Sequence, residues 1–239
     1  MGCVGLEKSN AYDRAYEIIF RQIADFDLHP GQVVSDYLLS KGLEMSRTPI
    51  RQALHRLEME GLVEKMANGS ATYRIAPITA EEIQDLFDFR EGIETTAFRL
   101  SVKRGISSED TLTLQTFVDE MVQTQREGKV KQHFTRDQQF HNALVALSHN
   151  KRLLDVHGKL LKQISRMRFL TFLNPALQDK ACYDHQNIVR AICSEEYERA
   201  EKEIVDHIRT SCADYQKILS NGIPPNLIHL LQVFSKSEE

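Results

Sequence analysis

From Thr79 to Ser220 the chain carries one proline, Pro175, and no convincing run that alternates apolar with polar residues. That narrows the folding options, because prolines interrupt helices and alternation announces strands. Ile83, Leu86, Phe87, Ile93, Ala97 and Leu100 recur at helical spacing and open a first apolar stripe. Ser107-Ser108-Glu109-Asp110 reads as an N-cap with an acidic first turn, starting a second helix toward Gln125. Helical patterns continue over about 131–148, 151–172, 178–193 and 195–219, separated by Glu127-Gly128, His149-Asn150 and Asn174-Pro175. Six helices with short connections predict an all-α antiparallel bundle.

The region before it reads differently. An amphipathic helix over 11–26 is stopped by His29-Pro30-Gly31, a short helix follows over 36–42, and a third spans 47–60 before Gly61. Leu62-Val63-Glu64-Lys65 and Ala71-Thr72-Tyr73-Arg74-Ile75 flank Asn68-Gly69 as two short strands around a turn. Thr79 is placed to cap the next helix together with Glu82. Three helices plus a hairpin describe a winged helix-turn-helix. The fold expected is therefore mainly α: a winged helix-turn-helix over 8–76, a linker over 77–79, the helical bundle over 80–220 and a tail over 221–239.

Within the third helix, Ser46 is placed to act as the cap and leave free N–H groups toward a phosphate. Arg47 and Arg51, four apart, share one face and suit guanine reading or phosphate clamping. Ile50, Ala53, Leu54 and Leu57 point the other way, into a core. Residues 46–74 net +2, a mild local field in a chain of net charge −4, so any nucleic-acid surface is local. His29-Pro30-Gly31-Gln32, Ser46-Arg47-Thr48-Pro49 and Leu57-Glu58-Met59-Glu60-Gly61-Leu62-Val63 together resemble the GntR family of bacterial transcription regulators across nearly all of residues 10–78. The resemblance implies that Arg47 and Arg51 touch bases or phosphates, Thr48 a phosphate, and the wing tip near Gly69 the minor groove. Tyr37 stands where some relatives carry a base-reading arginine, and Ser70 where the wing usually has its second glycine.

Nine histidines divide unequally. His29, His55, His149, His157 and His229 form no group with a chemistry to offer, and His133, near a helix start, reads as a surface residue. Asp137 and His141 fall within about 40° on one helix face, a spacing able to bind one metal. His185 and His207 lie mid-helix among residues of buried stripes. Three imidazoles and one carboxylate would suit Zn, Ni, Mn or Fe with positions left for water or a ligand, although Asp-x-x-x-His alone is more often a surface pair.

Together Asp137, His141, His185 and His207 resemble the ligand set of the FCD effector domain, which follows the winged helix in FadR-type GntR regulators. The resemblance covers about residues 80–218. It implies a divalent transition metal, and the acyl-CoA-binding namesake lacks that set, so no fatty-acid effector follows. A cation with open positions in a bundle core attracts a small organic acid whose far end arginines can clamp. Arg90 matches an arginine common in such domains, with the intrahelical partner Glu94 as its alternative role, and Arg166 and Arg168 are further candidates. Cys182, three residues before His185, reads as packing.

No window approaches a membrane span, no basic and apolar leader opens the chain, and four cysteines without C-x-x-C spacing suggest reduced thiols. The function expected is a cytoplasmic, homodimeric transcription regulator, a repressor, on double-stranded operator DNA of two-fold symmetry and controlled by a small organic acid. A metal-dependent enzyme is the rival, disfavoured because no nucleophile–base pair accompanies the metal set and because Asp184 and Asp206, adjacent to ligands, would face elsewhere. A purely structural metal is the third reading.

Overall fold

The computed structural model describes residues 10–67, 71–167 and 175–222. The chain divides into two compact units, with the boundary between Ile78 and Thr79.

In the first unit α1 (Ala11–Ala24), α2 (Asp36–Gly42) and α3 (Arg47–Met59) combine with β1 (Val33–Ser35), β2 (Val63–Lys65) and β3 (Thr72–Ile75). The helix expected over 11–26 ends early because Phe26 turns into a left-handed conformation (φ 67°) and buries its ring. α3 ends as expected: Gly61 takes φ 73°, and the Gly61 and Leu62 N–H groups donate to Glu58 and Leu57 carbonyls at 3.0 and 2.9 Å. The hairpin forms with Val63 opposite Ile75 and Lys65 opposite Tyr73. A third strand, which the sequence did not announce, pairs Val33 with Arg74 and Ser35 with Thr72, giving the order β1-β3-β2. Three residues are too few for a period-2 signal, so β1 exists because β3 offers it a free edge. Ala15, Ile19 and Ile23 of α1 pack on Ile50, Leu54 and Leu57 of α3, and Val34, Tyr73 and Ile75 cover the core from the sheet.

In the second unit the described residues form α4 (Ala80–Arg104), α5 (Ser108–Arg126), α6 (Val130–Ala146), α7 (Lys151–Ser165), α8 (Pro175–Cys193) and α9 (Tyr197–Ser220). Thr79 caps α4 through the Glu82 N–H at 3.1 Å, and Ser107 with Asp110 forms a capping box on α5. α4 packs on α6, α7 and α9, while α8 is held by α5 and α9. The helix expected to run through residue 172 ends at Ser165. No helix among the described residues is long and apolar enough to cross a membrane.

Candidate functional site

The face offered to DNA is built at the N-terminus of α3. Ser46 occupies the cap position with extended backbone, but its side chain accepts no cap hydrogen bond, contrary to expectation. The reason lies in the sequence: Pro49 stands at the third helical position, where a capping N–H would be, and has none to donate. Arg47 and Arg51 share one face, as their spacing predicts, and remain half-exposed. Both donate to the carboxylate of Asp36, which is almost fully buried. Burial pushes that carboxyl up, but the two arginines outweigh it and hold it below its ordinary value. Thr48 is exposed in the same first turn. Tyr37 is exposed on α2 with the Lys41 ammonium 4.6 Å from its ring centroid. Gly69 and Ser70, expected at the wing tip, lie outside the described residues.

The second constellation is interior. Asp137 and His141 from α6, His185 from α8 and His207 from α9 bring their ligand atoms within 4.8 Å of one another. His185 Nε2 lies 2.9 Å from His141 Nε2, and the Asp137 carboxylate is 3.6 and 3.8 Å from the same two nitrogens. Ligands about 2.1 Å from one ion lie roughly 3.0–4.2 Å apart, so Asp137, His141 and His185 stand near the spacing of a single transition metal, with His207 within 4.8 Å of them. The histidines are 4% exposed or less and Asp137 only partly, which leaves a side open toward a ligand.

Surrounding groups fix which nitrogens face inward. His141 Nδ1 meets Glu94 Oε2 at 2.8 Å, and His207 Nδ1 meets Asp184 Oδ2 at 3.2 Å. Each carboxylate accepts a hydrogen bond from Nδ1–H, which leaves Nε2 as the nitrogen with a free lone pair for the cluster. Glu94 is itself held by Arg90 Nε at 2.7 Å and His157 Nε2 at 3.2 Å, all fully buried or nearly so. Burial pushes Glu94 up, but the charge of Arg90 and the contacts with His141 and His157 win and hold it well below the usual carboxylate range. Burial, with Arg90 adding to it, pushes His141 down to about 4, and His185 is driven well below its ordinary value by burial and its neighbouring histidines. Neutral imidazoles are the ligating form.

Beside the cluster lies a cavity of about 50 Å³, with walls that include Arg90, Asp137, Lys180, Asp184, His207 and Tyr215. Arg90 is one of the lining residues, and its Nη2 is buried without a hydrogen-bond partner. Lys180 pairs with Asp214 at 2.7 Å, and burial pushes the Tyr215 hydroxyl up, keeping it protonated as a donor.

Several placements depart from expectation. Arg166 is buried but donates to Glu82 at 2.5 Å and lies outside the cavity wall; Arg168 falls outside the described residues. His133 is buried, not a surface residue, with Nδ1 3.2 Å from the Met121 carbonyl because α5 packs over the start of α6. Asp184 does bear on the cluster, through the facing helix and not through its own, whereas Asp206 pairs with Lys202 at the surface. Cys182 is a buried thiol pushed up to about 11 by burial, consistent with packing. The intrahelical Arg90–Glu94 pair is present, as the alternative role of Arg90 had it, but sequence reasoning missed that Glu94 and His157 bear on His141. The signal was present: Glu94 recurs on the stripe of Phe87, Arg90 and Ala97, and His157 on that of Leu161 and Ile164.

The chain matches the gntR family of bacterial regulatory proteins over residues 11–73 and the FCD domain over residues 85–210. It is 24% identical over 212 residues to the uncharacterized HTH-type transcriptional regulator YdhC of Bacillus subtilis (strain 168), covering 88% of this chain and 93% of that one. It is 27% identical over 201 residues to the Nta operon transcriptional regulator of Aminobacter aminovorans, covering 83% and 91%. Among solved structures, E. coli McbR/YncC shares the fold at a TM-score of 0.73 with 18% identity, covering 87% of this chain and 98% of that one. The chain thus belongs to the GntR family of bacterial regulatory proteins, in the FadR-type branch with an FCD domain, and is a transcription regulator and not an enzyme.

Proposed function

We propose that this regulator is a homodimeric repressor of a two-fold symmetric operator, and that a small organic acid bound at a divalent metal on Asp137, His141, His185 and His207 controls its DNA affinity. The observation that carries the reading is the four-residue donor set beside a cavity lined by Arg90, whose Nη2 is buried without a partner. The metal would supply Lewis-acid attraction for a carboxylate. Arg90 and Tyr215 would then hold the far end of the acid by charge and hydrogen bond. Space for about four water molecules suits a compact acid.

Arg47, Thr48 and Arg51, with the uncapped N–H groups that Ser46 leaves open, would meet the operator. An effector shifts DNA affinity only by its differential affinity for the DNA-competent and incompetent states. The test loads the protein with Zn, Ni, Mn or Fe, titrates a panel of small organic acids by calorimetry, and repeats operator binding with each acid that binds. At least one acid should bind with a Kd that His185→Ala abolishes, and should lower operator affinity at least fivefold. Metal uptake that raises the melting temperature while no acid binds would leave the metal with a structural role only.

A further inference from the structure

Asp36 opens α2 and is 2% exposed, yet it sits where two half-exposed arginines converge. Arg47 donates to its carboxylate through Nε at 3.1 Å and through Nη2 at 2.8 and 2.9 Å, and Arg51 donates through Nε. The Asp36 backbone N–H donates to the Ala71 carbonyl at 3.1 Å, just ahead of β3. One residue therefore joins the helix before the reading helix, both arginines of that helix and the base of the wing.

A carboxylate on a DNA-facing surface weakens the general attraction to phosphates, since it cancels one of two positive charges. What it supplies in return is orientation. Arginine reads guanine through a planar fork, and a free arginine side chain loses rotamer entropy on contact. Anchoring the forks before DNA arrives removes part of that cost. The two anchors differ: Arg51 is held through Nε, leaving both Nη groups outside that bond, whereas Arg47 is held along its Nε–Nη2 edge, leaving Nη1.

We propose that Asp36 is a positioning residue that sets operator specificity, clamping Arg47 and Arg51 so that discrimination between sequences, more than overall DNA affinity, depends on its carboxylate. The inference rests on the reading that α3 of the winged helix meets base edges.

The test starts by selecting duplexes from a random pool with the wild-type protein. Affinities for the selected duplex and for a scrambled one are then compared among wild type, Asp36→Asn, Asp36→Glu, and Arg47→Ala/Arg51→Ala with and without Asp36→Asn. Asparagine keeps the size and one acceptor oxygen but drops the charge. Asp36→Asn is expected to lower the selected-to-scrambled ratio about tenfold, while binding to scrambled DNA holds or strengthens. Asp36→Glu should lose less, and Asp36→Asn should change the ratio no further once both arginines are alanine. Far-UV circular dichroism confirms folding, and Asp36→Glu carries the comparison should Asp36→Asn unfold. An unchanged ratio in Asp36→Asn, or a parallel fall on both duplexes, overturns the role of Asp36 while leaving α3 as the reader. An Arg47→Ala/Arg51→Ala variant that keeps the wild-type ratio removes the reading of α3 itself, and the proposal with it.

Discussion

Both units of this regulator join arginine to carboxylate, but they do so in opposite dielectric settings. In the winged helix one buried acid, Asp36, gathers two arginines whose side chains remain 50% and 55% exposed. In the bundle, Arg90 and Glu94 are 5% and 0% exposed and share their contacts with His141 and His157. Half-exposed guanidinium groups can meet a nucleic acid with the N–H groups that the acid does not hold, because water already screens them. Buried groups have no such exchange available, and each removed partner leaves a desolvated charge behind. The surface unit holds its arginines by one edge and leaves other N–H groups toward solvent, whereas the interior unit satisfies its charges within the fold.

The sharpest way to break that contrast is Glu94→Ala. It strands the Arg90 guanidinium and removes the group that sets His141, so a loss of about 3–5 kcal/mol is expected, read by urea unfolding with hydrogen exchange to locate it in α4 and α6. The combined Arg90→Met/Glu94→Gln variant should regain part of that stability and still bind metal weakly, since His141 has lost its charged acceptor. Equal stability of Glu94→Ala and wild type would show that solvent reaches this network.

Acid should find the interior next. His141 titrates at about 4 in the folded chain, against an ordinary value near 6.5. A depressed histidine means the unfolded chain binds the proton first. Its contribution is therefore present above about pH 6.5 and is lost as pH falls toward 4. In chelator-treated protein this should cost on the order of 3 kcal/mol, with protection in α6 and α8 fading in that window. Asp36 has the same sign in a lower window, because its carboxyl is depressed from an already acidic value. Protection in α3 should persist until below about pH 4. Loss in both units at one pH would remove the distinction.

How far the sequence reaches follows the same divide. Helix positions in the bundle and the four-residue cluster were legible because apolar periodicity places Phe87, Leu144 and Ile188, and the cluster sits on those stripes. Glu94 and His157 stand on the stripes as well, but a polar residue at a core position becomes meaningful only once its partner across the bundle is known. The hairpin was legible from its turn residues, whereas β1 was too short to show a period and is defined by its partner. Asp36 was legible only as an acid at a helix start. Nothing local to α2 announces two arginines arriving from α3.

Of smaller effect is Arg51→Ala. Its side chain is half-exposed, so stability should change by less than about 1 kcal/mol. If Arg51 reads a base edge, discrimination among duplexes should fall by about 1–3 kcal/mol, measured as the selected-to-scrambled ratio. A stability loss as large as that of Glu94→Ala would mean that Arg51 supports the fold, and that the winged helix is no more plastic than the bundle.

The smallest expected effect concerns Glu64, which faces Arg74 across the β2–β3 register and pairs with it at 2.5 Å, both side chains nearly half-exposed. Glu64→Gln removes an acid from an arginine, as Glu94→Gln does in the bundle. Here the freed Arg74 returns to water at almost no cost, so the melting temperature should stay within about a degree. The arginine becomes available to phosphate, so the dependence of DNA affinity on salt should steepen by up to about 0.9 in log–log slope. The same substitution thus gains electrostatic contact in one unit and loses the fold's support in the other. A destabilised Glu64→Gln, with its salt slope unmoved, would show that the wing is held by its charges and is not free to exchange them for those of DNA.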